Sequence, residues 1–586
     1  MKPLRTLILP TLTLLLLYTR LVGIDWGLPY PFHPDERNMA DVITRLSCDL
    51  RADPRNCFEP GFYAYGQLPL YIGYVLAQSI NTAQGTPFEP ISFSDAVLAL
   101  RLQSVFWSVG AGVLMLIIGA HILKSRLRKS HLSSTVVLSA GLLFITFQTY
   151  FIEFAHFGTT ESILMFLYLL IVLLSIHMYE KVSYSCVALI GLIVGMSAGV
   201  KVSGAVYSLL PVSTLGYMMF RSSADSLRDR VRKFARYVCI LGLFGLLGMF
   251  VASPHYFIHI DKFLDSMTYE INLSKESHKV FYTRQFDHTI PLVYQFVTVF
   301  PFLIGVPSGI LFLGVVMRFS WKNANMNIIR TAIILHLVPL IGVFVKWGRF
   351  MAPILPLLTI LVFVGFVELS IRFKKHMFVQ LILAVLFISI LVRGSAYLAV
   401  YTHEDVRIEA SRWMYRHLPP SSRVLTEFGN VMSIPIADDQ TRTDYSSPDV
   451  IRSEINLYEI DSNPIEAQKA QDELASTDYV VIASRRVFAN FTCIWPGDST
   501  QALTTKKYYQ QGTYPSRCDA KELEFPLVSD FFYQLTDPNQ FTLIKTFTSY
   551  PRLTLAGKTL VEFPDEHAEE ALTVFDHPVI RIYQRK

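Results

Sequence analysis

Apolar runs long enough to cross a hydrocarbon core of about 30 Å recur along this chain as far as residue 397, and then stop. They fall at 7–24, 96–123, 132–150, 160–178, 184–199, 203–220, 237–253, 291–317, 328–345, 351–370 and 377–397. Residues 1–400 therefore read as an α-helical polytopic membrane bundle of about eleven transmembrane helices. A shorter apolar run at 68–80 carries Pro69 between polar flanks and is expected to be a re-entrant or interfacial helix. The first stretch has a basic start, Lys2 and Arg5, and an apolar body, as a signal peptide does. No small-residue cleavage site follows it and many spans do, so it is read as an uncleaved first helix. Composition agrees with a bundle in lipid: 52% of the 586 residues are hydrophobic, 17% are charged and the mean hydropathy is +0.37.

Charge placement orients the bundle. The formal net charge of +5 is small for this length and excludes nucleic acid as the implied partner. Its sign comes from Lys and Arg packed into alternate loops: Lys124 to Lys129, Arg221 to Arg236, Arg318 to Arg330 and Arg372 to Lys375. Loops rich in these residues stay cytoplasmic, which puts the N-terminus inside. The opposite, extracytoplasmic side then receives the loops 24–94 and 253–289, the short turns at His156, Lys201 and Trp347, and everything after Tyr401. Cys48 and Cys57 share the first of those loops and Cys493 and Cys518 share the C-terminal region, so both pairs are disulfide candidates in an oxidising compartment, four free thiols being the alternative.

After Tyr401 the composition turns polar. Strand-like runs appear at Arg423–Glu427, 478–483, Phe541–Phe547 and 579–583, with helical patterns at 405–417 and Pro464–Ser476 between them. Residues 401–586 are expected to form a soluble extracytoplasmic α/β domain.

Ionisable residues gather where the spans meet the outer side. Phe32-His33-Pro34-Asp35-Glu36-Arg37-Asn38 follows the first helix, and alone it reads as a helix start in which Pro34 and two acids suit the first turn. Arg101, His156, Glu161, Lys201, Lys346 and Arg349 stand at the ends of other spans on that side. A charge inside a span costs a few kcal/mol, so this many at one depth point to a polar site. One such residue would be explained by snorkelling. The loop 253–289, long for a compact bundle, adds Glu270 and His278 and suits a lid or acceptor groove. Its histidines match no metal-ligand spacing; a divalent metal is possible, its ligands are unknown, and no cofactor is required. Cations bind phosphate and a carboxylate can take a proton from a hydroxyl, which are the needs of a transferase attacking C1 of a sugar held on a lipid phosphate.

Several segments, in order, resemble the GT-C glycosyltransferases that use polyprenyl-phosphate sugars, the group of the protein O-mannosyltransferases and aminoarabinose transferases. They are His33-Pro34-Asp35-Glu36, Tyr65-Gly66-Gln67-Leu68-Pro69-Leu70-Tyr71, Arg101-Leu102-Gln103-Ser104, His156 to Glu161, Gly199-Val200-Lys201, Ser253-Pro254, Tyr269-Glu270, Arg349 to Pro356 and Arg407 to Trp413. The resemblance implies Asp35 as catalytic base, Glu36 supporting it, and Lys201 and Arg349 at the lipid phosphate, with Arg101 as a weaker candidate there. The family pattern has Asp more often where Glu161 stands. The ending 565–578, from Asp565-Glu566-His567 to Asp576-His577-Pro578, is similar to endings of a bacterial and archaeal branch.

The resulting expectation is a membrane hexosyl- or pentosyltransferase in the plasma or cytoplasmic membrane. It would move a sugar from a polyprenyl-phosphate donor to a hydroxyl of a protein, lipid or glycan acceptor at the outer face, with inversion. The substrate set would be Arg101, His156, Glu161, Lys201, Glu270, His278, Lys346 and Arg349. The alternative is a lipid or polyanion transporter or flippase, against which stand the absence of an inverted repeat and the clustering of charge at one face. A receptor or scaffold would have no reason to hold so many charges at span ends.

Overall fold

The computed structural model describes residues 2–49, 51, 54–87, 89–130, 133–221, 226–275, 280–309, 311, 323–428, 450–492, 494–496 and 517–586. The helices that build the bundle are α1 (Lys2–Leu21), α2 (Pro34–Arg45), α3 (Gln67–Ala83), α4 (Phe93–Ser130), α5 (Ser134–Thr146), α6 (Thr149–His156), α7 (Glu161–Glu180), α8 (Tyr184–Val200), α9 (Leu209–Arg221), α10 (Leu227–Ala252), α11 (His255–Ile258), α12 (Ile260–Ser274), α13 (Ala324–Leu340), α14 (Leu355–Arg372) and α15 (Met377–Thr402). Among the described residues, five helical stretches are long and apolar enough to cross a membrane: Phe93–Lys124, Glu161–Glu180, Leu227–Ala252, Gly348–Arg372 and Met377–Thr402. There are six if α5 and α6, bent by 56° against each other, make one span. Leu7–Leu21, Tyr184–Val200 and Ala324–Leu340 are apolar but shorter.

Two of the expected spans take an irregular form. The run at 203–220 begins as a 3₁₀ stretch, Val202–Ser208, before α9. The run at 291–317 contains two π-helical turns, Gln295–Val299 and Pro301–Gly305, on either side of Phe300, where Pro301 lacks the N–H that a regular ladder needs; its end lies outside the described residues. The bend between α5 and α6 frees the last carbonyls of α5, and the buried Arg20 at the end of α1 takes them, donating to Thr146 O at 2.6 Å and Ile145 O at 3.4 Å. The polar-flanked run at 68–80 is helical, as part of α3.

Helices α8 and α10 approach closely because Gly191, Gly195 and Gly199 form a small-residue stripe at four-residue spacing; a Cβ on Gly195 would run into Gly245 O. The same closeness seats the start of α3 on the end of α8, where Gly66 donates to Val200 O at 2.8 Å. This contact fixes Lys201 beside Tyr65.

Beyond Tyr401, α16 (Val406–His417) leads into a mixed five-stranded sheet in the order β2 (Ile451–Ile455), β1 (Arg423–Glu427), β3 (Tyr479–Ile482), β7 (Ile580–Arg585), β4 (Phe541–Phe547). β1 runs parallel to β2 and β3, and β7 antiparallel to β3 and β4. Alternate residues feed opposite cores. Leu425, Val480 and Ile482 pack with Phe488 and Phe532 on one face, while Val424, Val481 and Ile582 pack with Met414 on the other. A separate hairpin, β5 (Arg552–Leu555) and β6 (Lys558–Glu562), follows β4. The segment 563–579 then returns to the bundle before the chain ends in β7.

Candidate active site

Helix α2 starts with His33 as N-cap, its Nδ1 accepting the Glu36 amide at 3.4 Å, and Pro34 in the first turn. The next two residues are Asp35 and Glu36. Successive side chains on a helix diverge by about 100°, so these neighbours face different surroundings.

Asp35 faces a cavity of about 560 Å³, within the range of small-molecule sites. Lys201, Glu270 and Arg349 line the same cavity. Arg349 pairs with Asp35, donates towards Tyr65 Oη at 3.4 Å and lies over the Trp347 ring at 4.6 Å. Lys201 closes the end of α8, its N–H bonded to Ser197 O, and its ammonium lies 3.9 Å from Glu161 and over the rings of Tyr65 and Phe350 at 5.1 and 5.5 Å. Burial alone would raise the pKa of Asp35; the positive charges of Arg349 and Lys201, the neighbouring His33 ring and the Tyr65 hydroxyl outweigh it and hold the carboxyl below the ordinary aspartate range. Glu270 goes the other way. Its burial outweighs the pull of Lys201 and Arg349 and raises its pKa.

Glu36 turns into the protein. It accepts Arg101 Nε and Nη2 at 2.8 Å each and the Gly158 amide at 2.7 Å. Arg101 spends its Nη1 on Ile24 O and Trp26 O, both at 2.8 Å, with the Trp26 ring 4.4 Å away. A Cβ at residue 158 would fall 2.8 Å from Glu36 Oε1, so Gly158 is what lets the turn before α7 reach the carboxylate. The pair knots the first loop to α4 and α7 instead of facing the cavity.

The other expected site residues divide likewise. His156 is buried, with its two ring nitrogens each 2.8 Å from a carbonyl, Ile152 O and Val22 O, and its ring stacked on Tyr401 at 3.8 Å. Lys346 is buried beside the cavity wall, bonded to Phe344 O at 2.5 Å and near the Phe286 ring. His278 lies outside the described residues, as does Cys493. Cys48 and Cys57 are joined in a disulfide. Among the described residues no three His, Cys, Asp or Glu side chains converge into a metal-sized group.

The ending of the chain supplies a wall that the sequence reading did not foresee. Arg486, Glu570, Ala571 and Phe575 line the cavity. Arg486 pairs with Glu570 at 2.5 Å, and Phe575 packs against the His33 ring at 4.5 Å. Glu569 accepts the Gly348 amide at 3.0 Å, immediately before Arg349. The segment is pinned by Tyr401 on Asp576 at 2.7 Å, His577 between Asp576 and Asp565 at 2.5 and 3.2 Å, and Arg581 on both oxygens of Glu566 at 2.7 Å. The acid-rich composition of 565–578 was the signal; its partners, scattered from residue 33 to residue 581, were not visible in it.

No protein-family model matches the chain, and no curated protein matches it. Solved structures are similar to it in fold at low identity. ArnT from Cupriavidus metallidurans is 12% identical, with a TM-score of 0.44 in the apo state over 82% of this chain and 93% of that one. Bound to undecaprenyl phosphate, the same protein gives 0.46 over 81% and 92%. The Archaeoglobus fulgidus oligosaccharyltransferase tethered with an acceptor peptide is 11% identical, with a TM-score of 0.43 over 99% and 88%.

Proposed function

We propose that this chain is a membrane glycosyltransferase that moves one sugar from a polyprenyl-phosphate donor to an acceptor hydroxyl at the outer membrane face, with inversion and with Asp35 as the base. One observation carries the reading: a carboxylate, Asp35, and two cations, Lys201 and Arg349, line a single cavity at the end of the bundle. Lys201 and Arg349 would hold the lipid phosphate through charge-assisted hydrogen bonds. The acceptor oxygen attacks C1 of the sugar, the C1–O bond to the phosphate breaks, the hydroxyl proton passes to Asp35, and the phosphate leaves as a monoester stabilised by both cations. Arriving phosphate competes with Asp35 for Arg349, so donor binding loosens the pair and returns basicity to the carboxylate when it is needed. Orientation follows the charge of the loops, with the N-terminus cytoplasmic, about eleven spans, and residues 401–586 as an extracytoplasmic α/β domain.

The test is transfer from a panel of radiolabelled polyprenyl-phosphate sugars by the full-length protein in detergent. Asp35→Asn is expected to lower transfer by at least about 100-fold while leaving polyprenyl-phosphate binding intact. Lys201→Ala is expected to weaken that binding instead. Transfer retained by Asp35→Asn would remove Asp35 as the base.

A further inference from the structure

A second cavity, of about 650 Å³, lies far from Asp35, between α4, α5 and α14. On α4 it extends from Met115 to Arg128, whereas Arg101, which braces the first loop, is about 35 Å back along the same helix from Lys124 at ~1.5 Å per residue. This is the basic end of the bundle.

The cavity is amphiphilic along its length. Its inner part is walled by Met115, Ile145, Ile360 and Phe363, and the hydroxyl there, on Thr359, is spent on Tyr150 Oη at 2.9 Å. A polar ligand would find nothing to bond in that part. The mouth is different. Lys124 and Arg128 line it, both exposed and neither with a partner among the described residues, and His121 beside them is bonded to Glu180 at 3.1 Å. From Met115 to Arg128 the helix rises about 20 Å, more than half of a hydrocarbon core of about 30 Å. Gly119 lies buried on the cavity wall with nothing within 4 Å of where its Cβ would stand, so the space is open against the helix backbone.

We propose that this cavity binds an anionic glycerophospholipid of the leaflet bordering the basic end, with one acyl chain in the apolar part and the phosphate headgroup on Lys124 and Arg128. The apolar interior fits a chain with no hydrogen-bonding groups, the partnerless cations fit an anionic head, and the length of about 20 Å fits one leaflet counted with its headgroup layer. A peptide segment would bury unpaired backbone groups against those walls. The site is independent of the reaction at Asp35.

The test uses full-length protein reconstituted in nanodiscs of phosphatidylcholine alone or mixed with phosphatidylglycerol, released into the gas phase and weighed with its retained lipid. Wild-type protein is expected to retain phosphatidylglycerol over phosphatidylcholine by roughly tenfold, a preference that Lys124→Gln with Arg128→Gln brings close to parity. Gly119→Leu, which fills the space from a position where a side chain meets no atom, is expected to lose the retained lipid of either headgroup, while Gly119→Ala keeps it. Equal retention of the two headgroups by wild-type protein, or retention unchanged in Gly119→Leu, overturns the proposal. So does displacement of the retained phospholipid by added polyprenyl phosphate at equal concentration.

Discussion

Asp35 and Glu36 are adjacent, both carry a carboxylate, and both are paired with an arginine, yet the two pairs belong to different regions of the molecule. The Arg349–Asp35 pair lines the cavity, with side chains 23% and 19% exposed, whereas the Arg101–Glu36 pair is closed off at 2% and 4%. In the buried region both oxygens of Glu36 are hydrogen-bonded, three donors in all, and Arg101 bonds two backbone carbonyls as well. In the open region Arg349 holds Asp35 beside room for a ligand, with Lys201 and Glu270 on the same cavity. One ion pair is a brace and the other is an exchangeable contact; fixed partners rather than residue type make the difference.

The largest effect is expected from breaking the brace. Arg101→Met should leave the Glu36 carboxylate buried without its partner, at a cost of about 3–5 kcal/mol. The protein would accumulate poorly and unfold at a lower temperature, as read by size exclusion and thermal unfolding in detergent; a stable Arg101→Met protein would mean that the region is not the brace described. Arg349→Met should sharpen the contrast. The charge of Lys201 still acts on Asp35 and the pair is less buried than the brace, so stability is expected to fall by less than in Arg101→Met. Polyprenyl-phosphate affinity should fall by one to two orders of magnitude, about 1.5–3 kcal/mol for a hydrogen bond to a charged group, measured by titration of the purified protein. The opposite ranking of the two arginines, with Arg349 the more damaging to folding, would reverse the comparison.

This contrast was legible in the sequence only in part. The apolar runs located the long helices, because length and hydropathy are properties of a continuous segment. The strand-like runs at Arg423–Glu427 and Phe541–Phe547 and the helix at Pro464–Ser476 stand where the pattern put them, for the same reason. What a one-dimensional pattern lacks is partnership. His33-Pro34-Asp35-Glu36 announced a pair of acids near a helix start, but which of them meets Arg349 and which meets Arg101 depends on helix rotation and on a glycine at 158. β2, with exposed Ile451 and Arg452, and the hairpin β5–β6 are mostly solvent-facing, so little apolar periodicity marked them. The cavity wall formed by Glu570 and Phe575 joins residues more than five hundred positions from Asp35, a distance over which no local signal acts.

A third carboxylate gives the smallest and most discriminating test, because Glu569 is fully buried like Glu36 but its partners are amides: Gly348 N at 3.0 Å and Ala571 N at 3.2 Å. Burial pushes its pKa up to about 7, against the pull of those two amides and of Arg349, with Glu570 adding to the rise. An unfolded glutamate titrates near ~4.3, so between that value and about 7 the folded protein holds a proton that the unfolded chain has released. Stability from this group is therefore full below the unfolded value and is lost as pH rises through about 7, the reverse of Asp35, whose lowered pKa gives stability that is lost only as pH falls below the ordinary aspartate range. Glu569→Gln keeps an acceptor for the Gly348 amide and removes the titration. Its melting temperature is expected to lose that share of the decline between pH 5 and 8 seen in wild-type protein, with polyprenyl-phosphate affinity within about twofold because Arg349 stays anchored. Glu569→Leu, lacking the acceptor, should weaken that affinity as well. Parallel melting curves for wild-type protein and Glu569→Gln across this range would show that Glu569 stays charged, and that amides alone can hold a buried carboxylate as Arg101 holds Glu36.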